Sequence, residues 1–411
     1  HTEPYDAEYV DTISDFKIVT DTMTTLEVDF NDLESMKRHF DGTTVKNFEL
    51  ISMVSNDFLD GFVVWFTLYL CENDLENFIS TEPKSDSCWN QALFKLRDRV
   101  LIDSSYTVEL KMSCKNGVLK IHHELDVEKN KIDLEVDPEV LKFLNDDEFL
   151  RELEFSVDKI GCIKYCLDLS PFPYLGLMLL KDGRLEKLWC NKNNQEVIRK
   201  IAAVNVIAED RLEFVDGGVD MGIKYQLIIL HPFHSLGDLD SQIVCDYEKY
   251  KSLLTVDGLL IPHKITLFGV LVNSYWLVES SRITDIGVAR FKIDKHMNEY
   301  ATEVHLDLDR PLGCERLSGE FMISEISFDD ELHESKVNVL MRNINLPVHA
   351  ILYHHIIQLT PSSSNFTTNR KSKLSCFKKS AQILKREFVV DKSCVIVSFV
   401  QNSGIVKCDV E

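Results

Sequence analysis

Positive charge is scarce in this chain: 45 lysines and arginines stand against 67 aspartates and glutamates, a net charge of −22 over 411 residues. A field of that sign repels phosphate, so no direct nucleic-acid partner is expected, and basic partners are favoured. The same charge also serves plain solubility. No apolar run reaches membrane-spanning length, so no membrane partner is expected either, and no signal peptide is visible. None of the eleven cysteines forms a CxxC pair; Cys162 and Cys166 lie four apart. Buried free thiols of a reducing compartment, cytoplasmic and/or nuclear, are the expectation. His122-His123 and His354-His355 would point to opposite faces on strands. Metal-ligand spacing is absent, so no metal site is expected. The sequon Asn365-Phe366-Thr367 carries little weight without a secretory signal. The chain begins at His1 rather than Met, and a fragment or a processed piece is the expectation.

What is present is ordinary for a globular protein: 45% hydrophobic and 27% charged residues, with length enough for two to four domains. The two ends resemble each other. Glu27–Leu33 (EVDFNDL) echoes Glu325–Glu331 (EISFDDE). Val63–Leu70 (VVWFTLYL) and Ile351–Gln358 (ILYHHIIQ) are both apolar strand candidates. Ser87-Cys88-Trp89 and Ser375-Cys376-Phe377 each precede a strand, the second 288 residues after the first. Asn116-Gly117 and Ser403-Gly404 sit between β-rich runs as hairpin turns, 287 residues apart. Each match is weak alone. Four in one order, the last three at nearly constant offset, predict a duplicated β domain.

Between the copies the texture changes. Residues 126–150 are acidic and read as a linker or exposed helix. Strands and helices then alternate. Strands are expected at Ile163–Leu169, Leu185–Cys190, Leu212–Val215 and Tyr225–Leu230. Helices are expected at Tyr174–Leu180, Asn194–Ala203 and Asp246–Leu254. That alternation predicts a parallel sheet covered on both faces. Val256–Pro262 leads into the second β region.

The order β domain, doubly wound α/β domain, β domain resembles the protein arginine methyltransferase family, and in particular its two-module members. The resemblance covers nearly the whole chain. It is carried by residues 28–37 (VDFNDLESMK), 63–70 (VVWFTLYL), 87–94 (SCWNQALF), 112–121 (MSCKNGVLKI) and 257–277 (DGLLIPHKITLFGVLVNSYWL). SCWNQ stands where most of the family has Thr-His-Trp. The resemblance implies an α/β plus β architecture: a degenerate Rossmann-like S-adenosylmethionine methyltransferase domain flanked by two β-barrels. Residues 1–125 would be the barrel of a first module whose Rossmann domain lies upstream. Residues 126–150 would be the acidic linker, 151–262 the degenerate Rossmann-like domain and 263–411 the second barrel.

The implied activity of the parent protein is methyl transfer from S-adenosylmethionine to arginine in basic protein substrates, giving monomethyl and symmetric dimethyl products. Ser87, Cys88 and Trp89 would border the substrate pocket of the first module; for Trp89 barrel packing is an equal alternative. In the second module the family's cofactor glycines are replaced by Ser170, Phe172 and Tyr174. Glycine serves such a turn by permitting positive φ and close backbone approach to the ligand. Here Phe172 and Tyr174 place side chains in the ligand's path, and Pro171 and Pro173 each remove an N–H donor. Asn191 replaces the acid that grips the ribose. Asp168 remains, as ligand contact or as helix cap. In the loop after Tyr225–Leu230, His231 takes the place of the first of two arginine-binding glutamates, and Asp238 or Asp240 approximates the second. No cofactor is therefore expected on this segment. Its second module should act as a built-in partner of the chain's own N-terminal module, with exposed apolar faces on 174–180 and 194–203. The rival reading is a non-enzymatic acidic scaffold binding basic proteins.

Overall fold

The computed structural model describes residues 5–8, 10–13, 16–40, 44–54, 56–71, 76–85, 87, 89–103, 107–123, 136–158, 160–216, 222–234, 237–283, 294–300, 304–305, 308, 313–326, 333–343, 345–370, 375–389, 393–402 and 405–410. The chain divides into two compact units, His1–Ile132 and Asp133–Glu411.

The first unit holds β1 (Asp6–Glu8), α1 (Leu33–Phe40), β2 (Thr44–Ile51), β3 (Asp57–Val64), β4 (Thr67–Tyr69), β5 (Phe78–Ser80), β6 (Gln91–Ile102), β7 (Thr107–Lys115) and β8 (Val118–His123). They form the sheets β1-β6-β3 and β2-β7-β8 and the small pair β4-β5. Val19, Leu59, Phe62, Phe94, Ile102 and Leu110 make its core. Asn116 (φ 54°) and Gly117 (φ 75°) turn β7 into β8, as a two-residue hairpin requires. The apolar run 63–70 is not one strand. It breaks at Trp65-Phe66, because Phe66 is drawn out of the sheet by Thr81. Phe66 N–H donates to Thr81 Oγ1 (3.1 Å), and Thr81 N–H donates back to the Phe66 carbonyl (3.0 Å).

The second unit opens with α2 (Pro138–Leu144) and α3 (Asp147–Val157). The acidic stretch is thus not a linker from Asp137 onward. Asp137 and Asp146 cap the two helices, and Val140, Phe143, Phe149 and Leu150 are buried beneath them. The charge lies on the outer faces while the apolar residues reach the core. Next come β9 (Ile163–Asp168), α4 (Tyr174–Lys181), β10 (Leu185–Asn191), α5 (Gln195–Val204), β11 (Leu212–Val215), β12 (Tyr225–Ile229), α6 (Ser241–Cys245), α7 (Tyr247–Ser252) and β13 (Leu254–Ile261). The five strands are parallel, in the order β11-β10-β9-β12-β13. The single helix expected over 246–254 is instead α6 and α7, hinged at Asp246. No apolar face is exposed on α4: Leu175, Leu177, Leu179 and Leu180 are all buried. On α5 the last turn does expose apolar surface, at Ile201 and Val204, with Val206 just beyond it.

The chain continues into β14 (Lys264–Asn273), α8 (Tyr275–Ser281), β15 (Val304–His305), β16 (Glu315–Arg316), β17 (Phe321–Glu325), β18 (His333–Leu340), β19 (Pro347–Gln358), β20 (Asn365–Thr367), β21 (Ser380–Val389), β22 (Cys394–Asn402) and β23 (Ile405–Val410). One buried cluster runs from Leu177 and Leu188 of the parallel sheet to Ile351 and Val397 of these strands, so the second unit has a continuous core.

Strand pairing repeats between the units. The sheet β18-β22-β23 matches β2-β7-β8, and β15-β21-β19 matches β1-β6-β3. Even the irregularity recurs: the register shifts between Leu59 and Gly61 on β3 and between Val348 and Ala350 on β19. The β22–β23 hairpin pairs Asn402 with Ile405, as β7–β8 pairs Lys115 with Val118. Ser403-Gly404 itself and Ser327–Glu331 lie outside the described residues. One difference stands out. The far side of β19 is paired along its length with β14, whereas among the described residues no strand flanks β3 there.

Candidate functional site

The strand–turn–helix at the centre of the parallel sheet is the first place to look for a cofactor. Asp168 ends β9 and is fully buried. Its Oδ1 accepts the Ser170 N–H (3.1 Å) and the Ser170 hydroxyl, and its Oδ2 accepts the Gly176 N–H in the first turn of α4 (3.1 Å). Burial raises its pKa to about 6, against the opposing effect of those hydrogen bonds. Asp168 is therefore the clasp that holds the turn to the helix. Phe172 is 3% exposed and belongs to the core. Ser170 is buried too, with its hydroxyl 2.7 Å from the Phe172 carbonyl. The Tyr174 hydroxyl donates to Glu154 of α3; burial, then that carboxylate, pushes its pKa up to about 12. Asn191, at the end of β10, accepts the Asn193 N–H (3.0 Å) and so caps its own turn.

The loop after β12 is equally self-contained. His231 is enclosed by the rings of Phe143 (5.5 Å), Phe233 (5.7 Å), Phe377 (5.7 Å) and Phe149 (6.0 Å). Burial lowers its pKa to about 4, so the imidazole is neutral near pH 7. Asp240 is a helix cap, its Oδ1 accepting the N–H groups of Gln242 (2.9 Å) and Ile243 (3.2 Å). Asp238 accepts its neighbour's Leu239 N–H (2.8 Å). Phe377 makes edge contacts to Phe149 (4.9 Å) and Phe233 (5.1 Å). No room for even a water molecule is left between Phe233, His355, Thr368 and Phe377. His354 and His355 are both buried on β19, and burial lowers the His355 pKa to about 3. Among the described residues no group of three metal-ligating side chains converges; the side chains of His122 and His123 lie outside them.

In the first unit Ser87 and Trp89 precede β6. Ser87 Oγ accepts the Trp89 N–H (3.2 Å), as Ser375 Oγ accepts the Phe377 N–H (3.2 Å) before β21. Trp89 is 47% exposed and tilts against Phe66 at 5.9 Å, itself 46% exposed. Cys88 lies outside the described residues. The first unit's loop thus presents an aromatic surface where the second unit's loop is sealed.

Sequence reasoning missed the acid cluster beside Phe377. Asp146 and Glu148 hold Arg370, each at 2.6 Å, and the Cys376 N–H donates to Asp146 (2.9 Å). Asp146 had a visible signal, an acid just before an apolar helical pattern. Arg370, in a polar loop, had none.

Comparison with known proteins bears on the whole arrangement. The profile of the arginine methyltransferase oligomerization subdomain matches residues 5–131, the first unit. Protein arginine N-methyltransferase 9 of Xenopus laevis is 21% identical over 471 aligned positions, covering 93% of this chain and 56% of that protein. The first unit thus matches a subdomain of the arginine methyltransferases, and most of the chain is similar to one member of that family. The human protein arginine N-methyltransferase 9 is 29% identical over 140 residues, covering 31% of this chain and 16% of its own length. The chain therefore spans about half the length of its Xenopus relative, and a small part of the human one is matched. Among solved structures, the Trypanosoma brucei PRMT1 enzyme-prozyme heterotetrameric complex with AdoHcy aligns with a TM-score of 0.49 at 13% identity, covering 66% of this chain and 97% of that one. Arabidopsis thaliana protein arginine methyltransferase 10 aligns with a TM-score of 0.46 at 10% identity, with the same coverage.

Proposed function

We propose that the chain is the C-terminal part of an S-adenosylmethionine-dependent protein arginine methyltransferase with two modules. In this reading the first unit is the β-barrel of the active module, and the second unit is a whole module, Rossmann-like domain and barrel, that has lost catalysis. It supports the active module as a partner within the same polypeptide. The parent's products are monomethyl and symmetric dimethyl arginine, its substrates basic proteins, and its place the cytoplasm and/or nucleus. The ten described cysteines are all free, in keeping with a reducing compartment.

One observation carries the reading: the acid kept at the end of β9 is used up inside the protein. Among the described residues the donors on Asp168 come from Ser170 and Gly176, and Phe172 fills the turn. A nucleoside cofactor requires an open turn with free N–H groups, so the residues present do not suit it. Isothermal titration of this chain with S-adenosylmethionine should give no saturable heat. A micromolar dissociation constant would refute a degenerate second module.

The supporting role has its own test. Val204 is 82% exposed and Val206 93% exposed at the end of α5, and exposed apolar groups of this kind mark contact surfaces when they cluster. Val204→Glu should leave the chain folded by circular dichroism while lowering transfer of labelled methyl by the longer protein. Unchanged transfer would favour the rival reading, an acidic scaffold for basic proteins, which the net charge of −22 alone supports.

A further inference from the structure

Arg370 lies between β20 and β21 with its side chain only 10% exposed. One terminal nitrogen donates to Asp146 Oδ2 (2.6 Å) and stands 3.3 Å from Ser375 Oγ; the other donates to Glu148 Oε2 (2.6 Å). Its guanidinium carbon lies over the Phe366 ring, 4.3 Å from the centroid. Two carboxylates, a hydroxyl and an aromatic face are the complement of a guanidinium: a flat cation whose forked donors reach two acids at once and whose face stacks on a ring. An ammonium, a point charge, can sit over the ring but lacks the planar fork that reaches both acids at once.

The site is built rather than incidental. Asp146 is fully buried and also caps α3, its Oδ1 accepting the Phe149 N–H (3.1 Å), while its Oδ2 takes the Cys376 N–H (2.9 Å). A carboxylate so fixed cannot turn to solvent when its cation is removed. The Nε of Arg370 is buried with no hydrogen-bond partner among the described residues. The arginine is thus held by its terminal nitrogens and its face, the parts a separate arginine would share. Phe149, Phe366 and Phe377 join this place to the rings around His231.

We propose that Asp146, Glu148, Ser375 and Phe366 form a guanidinium-binding site that the protein fills in cis with Arg370. Its ligand class is the guanidinium of an arginine side chain, and its internal occupant closes this module to arginines from outside. Only that last consequence rests on the methyltransferase reading; the site itself does not.

The test uses the 411-residue chain. Arg370→Ala should lower the melting temperature. Methylguanidinium at millimolar concentration should raise the melting temperature of the variant by several degrees and leave the parent chain unmoved. Methylammonium at the same concentration should move neither. Failure of methylguanidinium to raise the variant, or an equal rise with methylammonium, would overturn the proposal. Should Arg370→Ala not fold, the exposed partner decides: Glu148→Gln should lower stability in the parent chain but not in Arg370→Lys, and full additivity of the two changes would overturn it. The outcome is independent of S-adenosylmethionine titration, so the failure of this site and of the degenerate module are told apart.

Discussion

Trp89 and Phe377 occupy matching places in two sheets with the same pairing, and each follows a serine whose hydroxyl accepts its N–H. Yet Trp89 is 47% exposed and Phe377 5%. The loop is not what differs. In the second unit Phe149 and Phe366 press on Phe377 together with His231 and Phe233, contributed by α3, the loop after β12 and β20. In the first unit Phe66 is the ring in contact with Trp89 among the described residues. A repeated local motif therefore fixes backbone geometry, while burial, and with it chemical role, depends on what is packed over it.

The largest expected effect comes from truncating the two rings. Phe377→Ala should destabilise the protein by about 3–5 kcal/mol, through lost apolar burial and a cavity. Trp89→Ala should cost roughly 1 kcal/mol or less, as surface changes do. Urea unfolding of the whole chain reads both, and equal costs would break the contrast between sealed and open loops. On the proposed methyltransferase reading the order reverses for activity in the longer protein: Trp89→Ala should lower methyl transfer to an arginine-containing substrate.

Acid should also act on the second unit. His231 and His355 have folded pKa values of about 4 and about 3, against 6.5 ordinarily. Below that ordinary value the unfolded chain binds more protons, so stability falls as pH drops toward 4. Asp168 works the other way. Its folded value of about 6 exceeds the ordinary 3.8, so the folded chain takes up a proton first and regains stability below that point. Two imidazoles outweigh one carboxyl at about 1.4 kcal/mol per pH unit for each proton of difference. The melting temperature should fall between about pH 7 and about pH 5, and His231→Phe should flatten the fall. A melting temperature that rises on acidification would show that the histidines are not buried as described.

The bulge gives a smaller contrast. A Cβ on Gly61 would lie 2.5 Å from the Phe94 carbonyl, so the first unit needs glycine after its register shift, where β19 continues through buried Val348, Ala350 and Ile351. Gly61→Ala should cost about 1–3 kcal/mol as an overpacked site. A neutral result would mean that the first bulge tolerates a Cβ as the second does, and the contrast would fail. The smallest effect is at the hairpin: Gly117→Ala, at φ 75° with open space around it, should cost about 1 kcal/mol from backbone strain alone. A shift in urea midpoint beyond that would point to a packing role for the turn.

Sequence alone determined the parallel α/β core, because Ile163–Asp168, Leu185–Asn191 and Tyr225–Ile229 are apolar runs punctuated by helix patterns and turns. It also determined the repeat, because hairpin and Ser-Cys-aromatic spacing are local signals that survive divergence. It also pointed to a filled turn after β9, where Phe172 is indeed buried, since proline and phenylalanine change a turn wherever they stand. Only the tertiary structure decided that the acidic stretch folds as two capped helices on the core, and that 63–70 breaks where Thr81 captures Phe66. The structure alone revealed that Asp168 serves its own helix and that Arg370 meets Asp146 across 224 residues of sequence. The reason is physical. Strand, turn and cap preferences act over a few neighbouring residues and can be read in order along the chain. Which acid neutralises which base, and which ring covers which, depends on contacts between segments far apart in sequence, and no local spacing encodes them.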